Sequence, residues 1–139
     1  MPLRVVFDTN VLFSAVGWGG VPGQCVDLAR NGQIQGLTSV EILEELSEKL
    51  ALKLQFSEED IEIVVGSLLS FLEVIIIAGV HYGIQPDAKD DKILETAAVG
   101  TATHIVNGDR KHLLPLKSFR NIPVVSPAEL IKLVSKLPT

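Results

Sequence analysis

The feature that most constrains the fold of this chain is an alternation of short apolar runs with longer segments of helical periodicity. The apolar runs cover residues 3–7, 34–37, 74–78, 104–107 and 123–125. Short runs that are apolar on both faces are typical of strands buried inside a sheet. The helical segments cover residues 11–16, 22–31, 39–54, 57–72 and 91–99, and a last helix follows the final strand. We therefore predict an α/β, three-layer fold in which helices flank a central parallel sheet.

The composition is that expected of a single domain over residues 1–139. Hydrophobic residues make up 47% of the sequence but aromatic residues only 5%, so the core must consist mainly of aliphatic side chains. Cys25 is the single cysteine, which excludes an internal disulfide and a cysteine-cluster metal site. Predicted helix starts carry capping pairs at three-residue spacing, namely Thr38 with Glu41, Ser57 with Asp60, Asp87 with Asp90 and Ser126 with Glu129.

Residues 61–80 form the one stretch apolar enough to resemble a membrane span. Glu62 and Glu73 interrupt it, and charges inside a span cost several kcal/mol, so a buried helix followed by a buried strand is the better interpretation. The first residues lack the pattern of a secretory signal. We expect a soluble, cytoplasmic protein without membrane contact.

Two of the predicted strands are followed by an aspartate, Asp8 after the first and Asp109 after the fourth. The carboxyl ends of parallel strands meet at one edge of a sheet, which is where ligands bind in such folds. A single aspartate at a strand end is more often a helix cap or part of a turn. Two at matching places favour a functional site.

A third acid comes from the cluster Asp87, Asp90 and Asp91 at the start of a helix. Negative charge is favourable at a helix N-terminus, and one aspartate is explained as a cap. We expect Asp90 to be that cap and Asp91 to be the chemical group, although Asp87 and Asp90 stay open as sharers of its role.

A fourth acid lies in the helix that carries Glu41, Glu44, Glu45 and Glu48. At about 100° per residue, Glu45 lies beside Ile42 at the edge of the apolar stripe, while Glu44 and Glu48 face solvent. Glu41 is the competing candidate, since it lies one turn before Glu45, but its capping position already gives it a structural role. We therefore choose Glu45.

If these four acids converge, they form a cluster of carboxylates. We expect no lysine or arginine to be built into the same motifs. Like charges at close range cannot all stay ionised without a cation. Oxygen ligands without histidine or thiolate favour Mg²⁺ or Mn²⁺. Such an ion is suited to hydrolysis of a phosphodiester.

The motifs FDTNVLFSA, SVEILEEL, DAKDDKILETA and IVNGDRKHLL resemble the PIN-domain family, and most of all the toxin-type, VapC-like PIN ribonucleases of prokaryotic toxin–antitoxin pairs. The resemblance implies a divalent ion, endonucleolytic cleavage of RNA, a homodimer or higher homo-oligomer, and an antitoxin partner. It assigns the catalytic and metal-binding acids to Asp8, Glu45, Asp91 and Asp109. Asn10, the third residue of the family's DTN triplet, would hold Asp8 or a bound water.

The chain departs from the family pattern near its last acid. Asn107 replaces the usual Thr or Ser, and His112 replaces a further Asp, which leaves open whether one metal ion or two are bound. We expect Asn107, Arg110 and Lys111 to contact the RNA. Because the net charge is −5, binding should be weak and salt-sensitive.

Two other functions compete with a ribonuclease. A haloacid dehalogenase-type phosphatase also has an aspartate after its first strand, but it needs a second acid where this chain has Asn10. A catalytically silent module that keeps the fold and binds a protein partner is the alternative from a different class. Acids at all four motifs argue against silence.

Overall fold

The structure, a computed structural model, describes residues 2–83, 90–108 and 117–137. The described residues contain six strands, namely β1 (Arg4–Phe7), β2 (Gln35–Thr38), β3 (Leu72–Val74), β4 (His104–Val106), β5 (Ser118–Phe119) and β6 (Ile122–Val125). They also contain six helices, namely α1 (Thr9–Gly17), α2 (Gly20–Arg30), α3 (Val40–Leu54), α4 (Glu58–Leu69), α5 (Asp91–Val99) and α6 (Pro127–Ser135). None of these helices has the length and apolar character needed to cross a membrane.

The strands form one sheet in the order β3-β2-β1-β4-β6-β5. All neighbours pair in parallel except β5 and β6, which are antiparallel. The chain thus reverses its strand order at β1, whose two neighbours are β2 and β4. Helices flank this sheet, which confirms the predicted α/β fold with a central, mostly parallel sheet.

The core is aliphatic and centred on β1. Val5, Val6 and Phe7 are completely buried there. Gly36 on the neighbouring β2 allows α2 to pack closely, because a Cβ at this position would lie 2.3 Å from Leu72 Cδ2 and 3.1 Å from Ala29 Cβ. Gly36 therefore lets Ala29 of α2 and Leu72 of β3 pack closely against β2, directly beside β1.

Two local predictions were wrong, and one short strand was missed. The third strand lies at Leu72–Val74 and not at 74–78, because the N–H groups of residues 78–80 bind a side chain of α5 and leave the sheet. Helix α3 is capped by Ser39, which accepts from Ile42 N, and Thr38 belongs to β2. Strand β5 has two residues, too few for a periodic pattern, and was not predicted. The capping boxes at Ser57 and Ser126 are confirmed.

Candidate functional site

Asp8 lies where β1 ends, between β1 and β4. Its N–H donates to Val106 O of β4 over 2.9 Å, so the backbone fixes the position of the carboxylate at the carboxyl edge of the sheet. One carboxylate oxygen accepts from Asn10 N at 3.0 Å and caps α1. The other accepts from Asn107 Nδ2. The side chain is therefore a helix cap and a buried acid at the sheet edge at the same time.

The electrostatic environment of Asp8 favours its protonated form. The pKa of Asp8 is raised from 3.8 to about 6, mainly by burial and further by the negative charges of Asp90 and Glu45. The hydrogen bond from Asn10 N and the charge of Lys49 lower the pKa, but not enough to restore its ordinary value. A cation next to Asp8 would stabilise the ionised carboxylate and lower its pKa.

Glu45 approaches the same region from α3, at the edge of that helix's buried face, as its periodicity predicts. Its Oε1 accepts from Thr9 Oγ1 at 2.7 Å and lies 3.1 Å from Lys92 Nζ. Burial raises the pKa of Glu45, yet the hydrogen bonds from Thr9 and Lys92 outweigh it and the pKa lies below its ordinary value. Glu45 is consequently an ionised carboxylate close to the start of α1.

The two aspartates at the start of α5, Asp90 and Asp91, contact different neighbours. Asp90 occupies the N-cap position, but its side chain makes no capping hydrogen bond, contrary to expectation, and its charge acts on Asp8. Asp91 accepts from His81 Nδ1 and, at 3.4 Å, from Tyr82 N. Asp91 also lines a cleft of about 410 Å³ together with Glu41. Of these two aspartates, Asp90 acts on the pKa of Asp8, whereas Asp91 accepts hydrogen bonds from the segment that precedes the helix.

Two lysines enter the acidic region, which corrects the expectation that the acidic motifs contain no cation. Lys92 pairs with Glu45, and the side chains are only 17% and 18% exposed. Lys49, one helical turn after Glu45, donates to Asn10 Oδ1 over 2.5 Å. The sequence shows both lysines next to the acidic motifs, since Lys49 lies four residues after Glu45 on the same helix face and Lys92 directly follows Asp91, but it does not show their partners.

Both asparagines bind Asp8, but only one of them does so through its side chain. Asn10 contacts Asp8 through its backbone N–H, while its side chain accepts from Lys49. Asn107, which we expected to contact RNA, has no exposed surface, so its side chain cannot reach a substrate. It donates to Asp8 instead. The asparagine at this position therefore orients the buried acid.

Glu95 is a buried acid of α5 that sequence reasoning missed. It is 2% exposed and accepts three backbone hydrogen bonds, from Ala78, Gly79 and Val80, at 2.6–2.9 Å. Burial raises its pKa, but these bonds together lower it below the ordinary value. The signal in the sequence was its position one turn after Asp91, on the face that points towards the site.

The predicted site residues Asp109, Arg110 and Lys111 lie outside the described residues, as do the open candidate Asp87 and His112. Among residues 2–83, 90–108 and 117–137, no three acidic, histidine or cysteine side chains lie close enough together to hold a metal ion. The described part of the site thus consists of Asp8, Asp90 and Glu45 with their partners, and Asp91 lies beside it.

The sequence model of the PIN-domain family matches residues 4–111, which include the acidic positions described above. The chain belongs to the PIN-domain family. No curated protein sequence gives a significant match. Among solved structures, this PIN domain is similar to a chain of VapBC2 from Rickettsia felis bound to a DNA fragment from their promoter. The TM-score is 0.65 at 18% sequence identity, over 89% of this chain and 98% of that chain, which is a likeness of fold.

Proposed function

We propose that this PIN domain is an endoribonuclease that hydrolyses RNA phosphodiester bonds with a divalent metal ion. The observation that supports it most is the buried Asp8 at the sheet edge, whose pKa is raised by burial and by the neighbouring acids Asp90 and Glu45. Neighbouring carboxylates that raise one another's pKa are typical of sites that bind a cation.

The donor set fits Mg²⁺ or Mn²⁺, because the proposed ligands are all carboxylates, with no thiolate or imidazole among them. Asp8, Asp91 and Asp109 would hold the ion, with Glu45 as a supporting ligand, and Asp90 is proposed to share the role of Asp91 because its charge acts on Asp8. A bound ion of this type lowers the pKa of a water and offsets charge on the phosphate.

Hydrogen bonds within the chain orient two of the proposed ligands, which supports this proposal. Asn107 and Asn10 hold the Asp8 carboxylate from opposite oxygens, and Thr9 holds Glu45. We propose that Arg110 and Lys111, which directly follow Asp109, contact the RNA backbone. Phosphate contacts of this kind position a substrate without reading its sequence.

We further propose that the protein is the toxin of a toxin–antitoxin pair, that it acts in the cytoplasm, and that it forms a homodimer or higher homo-oligomer. The similarity in fold to a chain of the Rickettsia felis VapBC2 complex supports this proposal. A test is co-purification of the chain with the product of an adjacent small reading frame. A complex of defined stoichiometry that suppresses RNA cleavage is the expected result.

The activity is tested by incubating the purified protein with labelled RNA and with a chromogenic phosphate monoester, each in Mn²⁺ or in chelator. We expect Mn²⁺-dependent cleavage of RNA and no monoester hydrolysis. Monoester hydrolysis alone would indicate a phosphatase. Absence of cleavage by folded protein that binds Mn²⁺ would favour a silent interaction module.

A further inference from the structure

Lys92 places an ammonium group on one of the carboxylates proposed to face the metal ion. Its Nζ lies 3.1 Å from Glu45 Oε1, and both side chains are more than four fifths buried. A partly buried pair is screened by salt less than a surface pair. Since Glu45 also accepts from Thr9 through the same oxygen, the carboxylate is held ionised and in a fixed orientation by groups of this chain alone.

Lys49 brings a second positive charge to the same region in a different way. Its Nζ binds the amide oxygen of Asn10, and its charge acts on Asp8 through space. The two lysines therefore form a natural comparison. Lys92 forms an ion pair with a carboxylate oxygen of Glu45. Lys49 donates to the amide oxygen of Asn10 and contributes only its positive charge to the acidic region.

The surroundings of Lys92 offer its ammonium group a second position. Lys92 lines the cleft of about 410 Å³, whose other lining residues include the acids Glu41, Asp91 and Glu95. The lysine side chain has a flexible four-carbon stem. An ammonium group displaced from Glu45 would thus enter a solvent-accessible space lined by negative charge.

We propose that Lys92 is a built-in competitor of the divalent ion: its ammonium group holds Glu45 in the metal-free protein and moves into the adjacent cleft when the ion binds. The inference rests on the proposed function, because it requires Glu45 to face the ion. Lys92 is a positioning residue in this account. It stabilises the metal-free site and weakens metal binding by the same interaction.

The test measures Mn²⁺ affinity by isothermal titration calorimetry and the melting temperature in chelator. For Lys92→Met we expect binding about fivefold tighter than wild type, together with a lower melting temperature without metal. Lys49→Met should tighten Mn²⁺ binding less, since it removes a positive charge but leaves the ion pair between Lys92 and Glu45 in place. Lys53→Met, on the same helix as Lys49, is the control for loss of a positive charge. Because Lys53 lies over the Phe13 ring, this variant should leave Mn²⁺ affinity unchanged.

A second arm repeats the Lys92→Met measurement in a Glu45→Gln background, where the gain in affinity should disappear. Lys92→Arg keeps the charge and should behave like wild type, and Lys92→Gln replaces Lys92→Met if that variant does not fold. Unchanged or weaker Mn²⁺ binding in Lys92→Met, a gain equal to that of Lys49→Met, or a gain that survives Glu45→Gln overturns the inference. If wild type binds no Mn²⁺ at all, the proposed metal site itself fails.

Discussion

Asp8 shows how a single residue can serve the fold and the site together. Its carboxylate caps α1 and accepts from the Asn107 side chain, which are structural contacts, but it is also buried beside Asp90 and Glu45. Helix caps are ordinarily exposed enough to stay ionised at low cost. The raised pKa is the property that separates Asp8 from a cap alone.

The pKa of Asp8 predicts a pH dependence of stability in the metal-free protein. Its folded value, about 6, lies above the ordinary 3.8, so the contribution to stability is fully present below about pH 4 and is lost as the pH rises through 6. Relative to Asp8→Asn, the free energy of unfolding of wild type should fall by about 1.4 kcal/mol per pH unit in that window, about 3 kcal/mol in all. Urea denaturation in chelator from pH 4 to 7 measures it, and a flat difference would contradict the raised pKa.

The different neighbours of Asp90 and Asp91 predict different effects of their neutral variants. Asp90→Asn should lower the pKa of Asp8, because it removes a negative charge that raises that pKa. Asp91→Asn should leave it nearly unchanged, since the Asp91 carboxylate is engaged by His81 and Tyr82. Carboxyl ¹³C NMR titration of the metal-free protein gives these values, with the exposed Asp27→Asn as control. A larger shift in Asp91→Asn than in Asp90→Asn would reverse the assignment.

At the level of elements, α5 carries three groups that organise the site. Asp91 and Glu95, one turn apart, bind the segment that follows β3, and Lys92 between them reaches across to α3. Helix α5 thus ties the chain after β3 to the acidic region. This arrangement explains why residues 78–80 do not continue the third strand, as the sequence pattern had suggested.

Glu95→Gln should destabilise the protein by about 1–2 kcal/mol, since an amide can offer only one oxygen to three partly buried N–H groups and turns a donor towards at least one of them. Chemical denaturation at pH 7 measures the change. Glu44→Gln, on the exposed face of α3, is the control and should change stability by less than about 0.5 kcal/mol. If both variants are equally stable, Glu95 does not fix the segment.

Some features of these helices could be predicted from the sequence, whereas the partners of their acids could not. Helix α5 was predicted with its exact bounds because its apolar stripe begins directly after the aspartates. Glu45 was placed correctly at the edge of the buried face of α3 by periodicity alone. The partners of these acids could not be predicted, because the Lys92–Glu45 and Asn107–Asp8 contacts join residues far apart in the chain and depend on packing.

At the scale of the whole molecule, the net charge of −5 works against general attraction of RNA. The proposed contacts Arg110 and Lys111 are the local exception. Replacing both by Ala should reduce the slope of log Kobs against log salt by about 1.4 for single-stranded RNA, measured by fluorescence anisotropy in chelator. The double replacement of Lys132, on α6, and Lys136, the residue that follows this helix, is the control and should leave the slope unchanged. Equal slopes in all three proteins would remove Arg110 and Lys111 from the RNA-binding surface.

The central claim is that the acids around Asp8 hold the ion with which this PIN domain cleaves RNA. The most direct measurement is the cleavage rate of a labelled RNA by wild type and Asp8→Asn across a Mn²⁺ titration, with circular dichroism to confirm that both are folded. The account predicts metal-dependent cleavage by wild type and a loss of at least about 100-fold in Asp8→Asn at every Mn²⁺ concentration. Cleavage in chelator, or wild-type rates in the folded variant, would contradict it.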